Sequence, residues 1–107
     1  VEKLELQGYR IINGLLDCYK PLLQLTSDDF RRALNGDSRL LIESRLVKKL
    51  SKKHLSSYQH AINAMQEEPD HFAAYEFYYR CRLIQDYISG MTDQFAYDEY
   101  RSLMVIS

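Results

Sequence analysis

The sequence of 107 residues has no tryptophan, two prolines, four glycines and two cysteines, and it lacks any long apolar run. Scarce glycine and proline disfavour a turn-rich β architecture and favour helices. The longest apolar runs span a few residues, whereas a membrane span needs about 20, so we predict no transmembrane helix and no membrane partner. The length favours one domain. Hydrophobic residues at 46% and charged residues at 27% exclude a disordered chain.

The two cysteines, Cys18 and Cys81, could pair in principle. In a helical chain without an export signal, two cysteines are more typical of reduced thiols in a cytoplasmic protein. No charged-then-apolar signal segment opens the sequence. Val1 is not methionine, however, and Val1–Leu6 has the pattern of the middle of a helix. We therefore expect a cytoplasmic protein whose chain begins inside a longer one.

Apolar residues recur at spacings of three and four along most of the sequence, which predicts an all-α fold of about five helices. The expected helices are Glu2–Tyr19 (with Pro21 as its end or kink), Asp28–Leu34, Ser44–Gln66 with a break near residue 50, His71–Ser89 and Asp93–Val105. Asp37–Glu43 is expected to be a loop or short turn. Expected helix caps and stops are Thr26–Asp29, Asn35-Gly36, Ser51, Asp70, Gly90, and Thr92 or Asp93.

Two apolar faces lead to specific expectations. In the helix His71–Ser89, the core stripe is predicted to be Phe77, Cys81, Ile84 and Ile88. In the first helix, a face with Leu4, Ile11, Leu15 and Leu22 is expected to lack its partner, as in a piece of a larger helical protein. Exposure of that face would make the isolated chain self-associate.

A formal net charge of −1 conceals a strong segregation of charge. Between Arg31 and Lys53 there are eight basic residues and two acidic ones, whereas Glu67–Glu76 contains four acidic residues and no basic one. The basic stretch has two interpretations. It is either a solvated helix face or a surface that binds phosphate or nucleic acid, because clustered cations release counterions from a polyanion.

No catalytic or metal-binding constellation is recognisable from spacing alone. His54 and His60 are six residues apart, whereas two ligands on one helix face need a spacing of three or four. We therefore expect His54, His60 and His71 to be surface or capping residues. There is no nucleophile elbow and no glycine-rich phosphate loop. These absences favour a binding or supporting part of a protein.

One helix ridge combines two phenols, a guanidinium and a carboxylate: Tyr75, Tyr79, Arg82 and Asp86. Such a ridge suits a nucleotide, because an aromatic ring packs on a sugar or base and arginine forks onto phosphate oxygens. The alternative is an intramolecular network at a helix junction.

The segment Tyr78–Ala96, which reads YYRCRLIQDYISGMTDQFA, closely resembles the C-terminal signature of the deoxyguanosine triphosphate triphosphohydrolases, members of the HD-domain phosphohydrolase superfamily. Leu15–Leu23, Ser44–Ser51 and Asp98–Met104 agree as well. The resemblance thus spans nearly the whole chain and is closest to the enterobacterial type.

This resemblance implies a mostly helical, oligomeric enzyme, hexameric in this branch, that hydrolyses dGTP to deoxyguanosine and triphosphate with divalent Mg or Mn. It also implies binding of single-stranded DNA. The family's metal-binding His-Asp motif lies upstream of the matching region. Residues 1–107 are therefore expected to be a single helical C-terminal fragment that lacks the catalytic HD core, contains no metal ligands and is inactive alone.

The resemblance also suggests substrate-binding residues. Tyr79 is expected near the sugar and Arg82 near a phosphate. Arg45 is the candidate for reaching a substrate across a subunit boundary, and Arg39 is the other candidate for that role. Two further hypotheses are a free-standing helical nucleic-acid-binding module that uses residues 31–53, and a purely structural assembly domain.

Overall fold

The computed structural model describes residues 2–65 and 71–106, and the side chains of residues 8–65 and 71–105. This part of the chain is all-α, as predicted, and contains six α-helices and one short 3₁₀ helix. The helices are α1 (Glu2–Leu23), α2 (Ser27–Leu34), α3 (Leu41–Lys49), α4 (Lys52–Ala64), α5 (Phe72–Ser89) and α6 (Asp93–Ile106), with the 3₁₀ helix at Ser38–Leu40. None of these helices is long and apolar enough to cross a membrane.

Most helix ends are set by local capping interactions that the sequence predicts. Thr26 caps α2 by accepting a hydrogen bond from the Asp29 amide at 3.2 Å, and Thr92 caps α6 by accepting one from the Phe95 amide at 3.2 Å. Gly36, with a φ of 79°, occupies the left-handed conformation that favours glycine after α2.

The structure differs from two of the predicted helix boundaries and confirms a third. Helix α1 does not end at Tyr19 but continues through Pro21 to Leu23. The segment Asp37–Glu43, predicted to be a loop or short turn, contains a 3₁₀ turn that Asp37 caps through the Arg39 amide at 2.9 Å, but α3 already begins at Leu41. The helix break near residue 50 is confirmed, although the Ser51 side chain makes no capping hydrogen bond. The expected turn and cap at 67–70 lie outside the described residues.

Helix α1 lies at the centre of the packing, against α3, α5 and α6, while α4 packs against α5 and α2 packs against α3 and α5. The face expected to be uncovered is therefore largely core. Leu15 and Leu22 are fully buried and Ile11 packs against the core, whereas Leu4 lies outside the described side chains. Among the described side chains of α1, from Gly8 to Leu23, the exposed large apolar ones are Tyr9, Ile12 and Leu16.

The predicted core stripe of α5 is half wrong. Ile84 and Ile88 are buried, Cys81 is half-buried and Phe77 is 44% exposed. The buried face instead begins at Glu76 and Arg80, which are 2% and 1% exposed. These opposite charges form a salt bridge with each other, so the core accommodates them where an apolar pair would be expected.

Arg80 connects four segments of the chain. Its guanidinium donates to both Glu76 carboxylate oxygens and to the backbone carbonyls of Leu22 at 3.1 Å and Leu25 at 2.6 Å. It also lies over the Phe30 ring, 4.9 Å from the centroid. Arg80 thus supplies a donor to the carbonyls of Leu22 and Leu25 around the C-terminal end of α1, where no intrahelical N–H group is available.

Gly14 allows α1 and α6 to approach closely, because a Cβ at this position would overlap the Tyr100 ring. Gly14→Ala should lower the free energy of unfolding by about 1–3 kcal/mol, since overpacking outweighs the helix propensity of alanine. Gly8→Ala is the matched control. Nothing lies within 4 Å of its added Cβ, and the change should raise stability by about 0.5–1 kcal/mol. Urea unfolding measures both, and stabilisation by Gly14→Ala would contradict the close approach.

Candidate functional site

A cleft of about 280 Å³ lies between α4 and α5. It is lined by His54, Ser57, Tyr58, Tyr79, Arg82, Leu83 and Asp86. Three members of the predicted α5 ridge, Tyr79, Arg82 and Asp86, therefore share one cavity. The fourth, Tyr75, does not line it and instead packs edge-on against His71, with ring centroids 6.4 Å apart.

Arg82 lines the cleft with a largely exposed side chain. Its side chain is 60% exposed, and its Nε lies 3.8 Å from an Asp86 carboxylate oxygen one helical turn further on. That distance is too long for a hydrogen bond, so the pair is a loose ion pair. Because Asp86 faces Nε, the two terminal nitrogens of Arg82 stay available to fork onto an anion.

Tyr58 is a buried residue of the cleft lining, and contacts behind the cleft hold its side chain in place. Its hydroxyl donates to Glu76 at 2.5 Å, and its ring packs edge-on against Phe30 with centroids 5.4 Å apart. Burial raises the pKa of Tyr58, and the hydrogen bond to Glu76 raises it further. Tyr58 thus stays neutral, and its hydroxyl is hydrogen-bonded to the buried Glu76–Arg80 pair behind the cleft.

His54 departs from the prediction that all three histidines lie on the surface or cap helices. His60 and His71 are exposed, but His54 is half-buried in the cleft wall. Its Nδ1 is buried and has no hydrogen-bond partner among the described residues. Spacing along one helix could not reveal this residue, because its neighbours Arg82 and Asp86 come from another helix.

The other predicted arginines lie elsewhere. Arg45 is an exposed residue of α3 and does not line the cleft. Arg39 lies in the 3₁₀ helix with its side chain 82% exposed, 3.6 Å from an Asp37 oxygen. The structure therefore brings Tyr79 and Arg82 together but not Arg45 or Arg39.

The basic stretch is divided into paired and unpaired cations. Arg31, Arg32, Arg39 and Lys49 each have a carboxylate within 4 Å. The other four cations of the stretch from Arg31 to Lys53 are exposed and form no ion pair with the described residues: Arg45, Lys48, Lys52 and Lys53. These four residues, which we call the α3–α4 basic corner, flank the junction of the two helices.

The described residues do not fit a metal site. No group of three histidine, cysteine, aspartate or glutamate side chains in residues 2–65 and 71–106 is arranged to hold an ion. Cys18 and Cys81 are both free thiols, as expected, and burial raises the pKa of each.

The fold and the cleft define an all-helical domain with a polar, arginine-bearing cavity between two helices. Residues 42–102, which include every residue that lines the cleft, match the family model described as phosphohydrolase-associated domain. The chain belongs to this family.

Curated relatives extend the comparison over 99% of the chain. It is 56% identical to the deoxyguanosinetriphosphate triphosphohydrolases of Klebsiella pneumoniae strain 342 and Cronobacter sakazakii. It is 53% identical to the protein of the same name from Salmonella typhimurium. The chain spans about a fifth of these relatives' length, 21% in each case.

Proposed function

We propose that this chain works as part of a cytoplasmic dGTP triphosphohydrolase, where it supplies one wall of the nucleotide pocket and contacts between subunits of a homo-oligomer, a hexamer. The observation that carries the proposal is the 53–56% identity, over nearly the whole chain, to proteins named for this activity. The cleft that holds Tyr79 and Arg82 supports it. The reaction converts dGTP and water into deoxyguanosine and triphosphate.

In this proposal, the residues of the cleft position the substrate and neutralise charge. Arg82 directs its terminal nitrogens at a phosphate, while Asp86 restrains its Nε. The Tyr79 ring packs against the sugar. A substrate held in one orientation reacts faster because less freedom is lost on the way to the transition state. None of these side chains is assigned a proton transfer.

In this proposal, residues of the full protein other than those described hold the divalent ion, Mg or Mn. The isolated chain is accordingly expected to be inactive.

Arg45 is the residue proposed to reach a neighbouring subunit's substrate, because it is exposed, unpaired and outside its own cleft. Arg39 is the second candidate for this role.

The experiment is a product assay on the full protein with dGTP and either Mg or Mn. Phosphorus NMR distinguishes intact triphosphate from pyrophosphate and orthophosphate. We expect deoxyguanosine and triphosphate in equal amounts, and no turnover from the 107-residue chain by itself. Release of pyrophosphate, or no turnover by the full protein with either metal, would contradict the proposal.

A second candidate function is the binding of single-stranded DNA, favoured by the α3–α4 basic corner. Its four cations have no carboxylate to neutralise them among the described residues, so they remain available to DNA phosphates. Such contacts release counterions, and the affinity for an oligonucleotide should fall as salt rises. An affinity that does not change with salt would contradict this candidate.

A further inference from the structure

His54 is a polar residue of the cleft wall that none of the earlier roles involves. Its ring lines the α4–α5 cleft opposite Arg82, and its Nδ1 is buried without a partner among the described residues. Buried polar atoms in folded proteins are usually hydrogen-bonded, so an unpaired one needs an explanation. Because Nδ1 is buried while the half-buried ring lines the cleft, the other edge of the imidazole is the part that can meet a ligand.

The chemistry around His54 favours an anion. Ser57 and Tyr79 add hydroxyl donors to the wall, and Arg82 adds a guanidinium. The Tyr58 hydroxyl is already committed to Glu76. The one carboxylate that lines the cleft, Asp86, faces the Nε of Arg82 rather than a free donor. Donors on two facing helices thus outnumber the free acceptors.

We propose that His54 and Arg82 form a phosphate-binding site that bridges α4 and α5. Arg82 supplies two parallel donors, which match the geometry of phosphate oxygens. His54 donates from the opposite wall, through a ring nitrogen that carries a proton. The inference rests on the proposed function in taking this cleft as a ligand site, and it adds His54 as the second phosphate contact.

The phosphate group could belong to a nucleotide or to an oligonucleotide backbone, which present the same oxygens. Two measurements on the full protein separate these sources. One is the KM for dGTP, and the other is the dissociation constant of a single-stranded oligothymidylate. The variants are His54→Ala, His54→Gln and Arg82→Ala. The matched control is His60→Ala, an exposed histidine on the same helix.

We expect His54→Ala and Arg82→Ala each to raise one of the two constants about tenfold, the effect of losing a hydrogen bond to a charged group. His54→Gln should retain part of the binding, because its amide still donates. A change in KM assigns the site to the nucleotide, and a change in oligothymidylate affinity assigns it to a nucleic acid backbone. Either result supports the phosphate site, provided that His60→Ala changes neither constant.

Unchanged constants in His54→Ala would overturn the proposal, and so would an equal effect of His60→Ala. A crystal of the full protein soaked in tungstate, a heavy mimic of phosphate, gives an independent readout. Tungstate density between His54 and Arg82 is expected, and its absence from the cleft would also overturn the site. If the wild-type protein does not hydrolyse dGTP, the proposed function fails, while the oligothymidylate and tungstate measurements still decide the phosphate site.

Discussion

Replacing Arg80 by alanine should lower the free energy of unfolding by about 3–5 kcal/mol, because it leaves the buried Glu76 carboxylate without its counter-charge. The side chains of Arg80 and Glu76 are each 2% exposed, so water cannot take over the lost contacts. The carbonyls of Leu22 and Leu25 lose their donor in the same variant. Chemical unfolding followed by circular dichroism measures the effect.

The matched control is Arg82→Ala, two residues further along the same helix. Arg82 is 60% exposed and its ion pair with Asp86 spans 3.8 Å, so its loss should change stability by less than about 0.5 kcal/mol. Glu76→Ala and the double variant Arg80→Ala/Glu76→Ala complete a cycle. The double variant should lose less than the sum of the two single ones. A loss below about 1 kcal/mol for Arg80→Ala would contradict its role as the connection between α1, α2 and α5.

Arg82→Ala and Arg45→Ala should each lower kcat/KM for dGTP about 10–100-fold in the full protein, since each removes a charge-assisted contact. If Arg45 acts across a subunit boundary, mixed oligomers built from Arg82→Ala subunits and Arg45→Ala subunits should regain activity. A site that combines the intact Arg82 of one subunit with the intact Arg45 of another is then complete. Co-expression with two affinity tags gives these mixed oligomers for steady-state assays.

The control for this experiment pairs Arg82→Ala with Tyr79→Ala, which removes the ring that is proposed to pack against the sugar. Both residues line the same cleft, so every site in a mixed oligomer keeps one defect and activity should not recover. Recovery in this control would show that the cleft is not an intact unit within one subunit. Failure of the first mixture to recover would contradict the cross-subunit role of Arg45.

The helices and their ends could largely be predicted from the sequence, because they depend on local chemistry. Thr26, Gly36, Gly90 and Thr92 all lie at the predicted ends. Helix periodicity also identified the buried Ile84 and Ile88. The family followed from a specific run of residues, and the comparisons confirm it.

The buried charged pair of α5 and the composition of the cleft depend on contacts between residues distant in sequence, which periodicity cannot reveal. The predicted core stripe of α5 does not include Glu76 and Arg80, since isolated charges avoid the core. Their mutual salt bridge, the carbonyls of Leu22 and Leu25 and the Tyr58 hydroxyl compensate these charges in the core. His54 was dismissed because no other histidine stands three or four residues away, yet its site is shared with another helix.

The central claim is that the α4–α5 cleft binds the nucleotide, and a crystal structure of the full protein with a non-hydrolysable dGTP analogue tests it most directly. We predict the terminal nitrogens of Arg82 at hydrogen-bond distance, about 2.7–3.2 Å, from phosphate oxygens, with the Tyr79 ring against the deoxyribose. An analogue bound elsewhere, with Arg82 still facing only Asp86 and solvent, would contradict the claim.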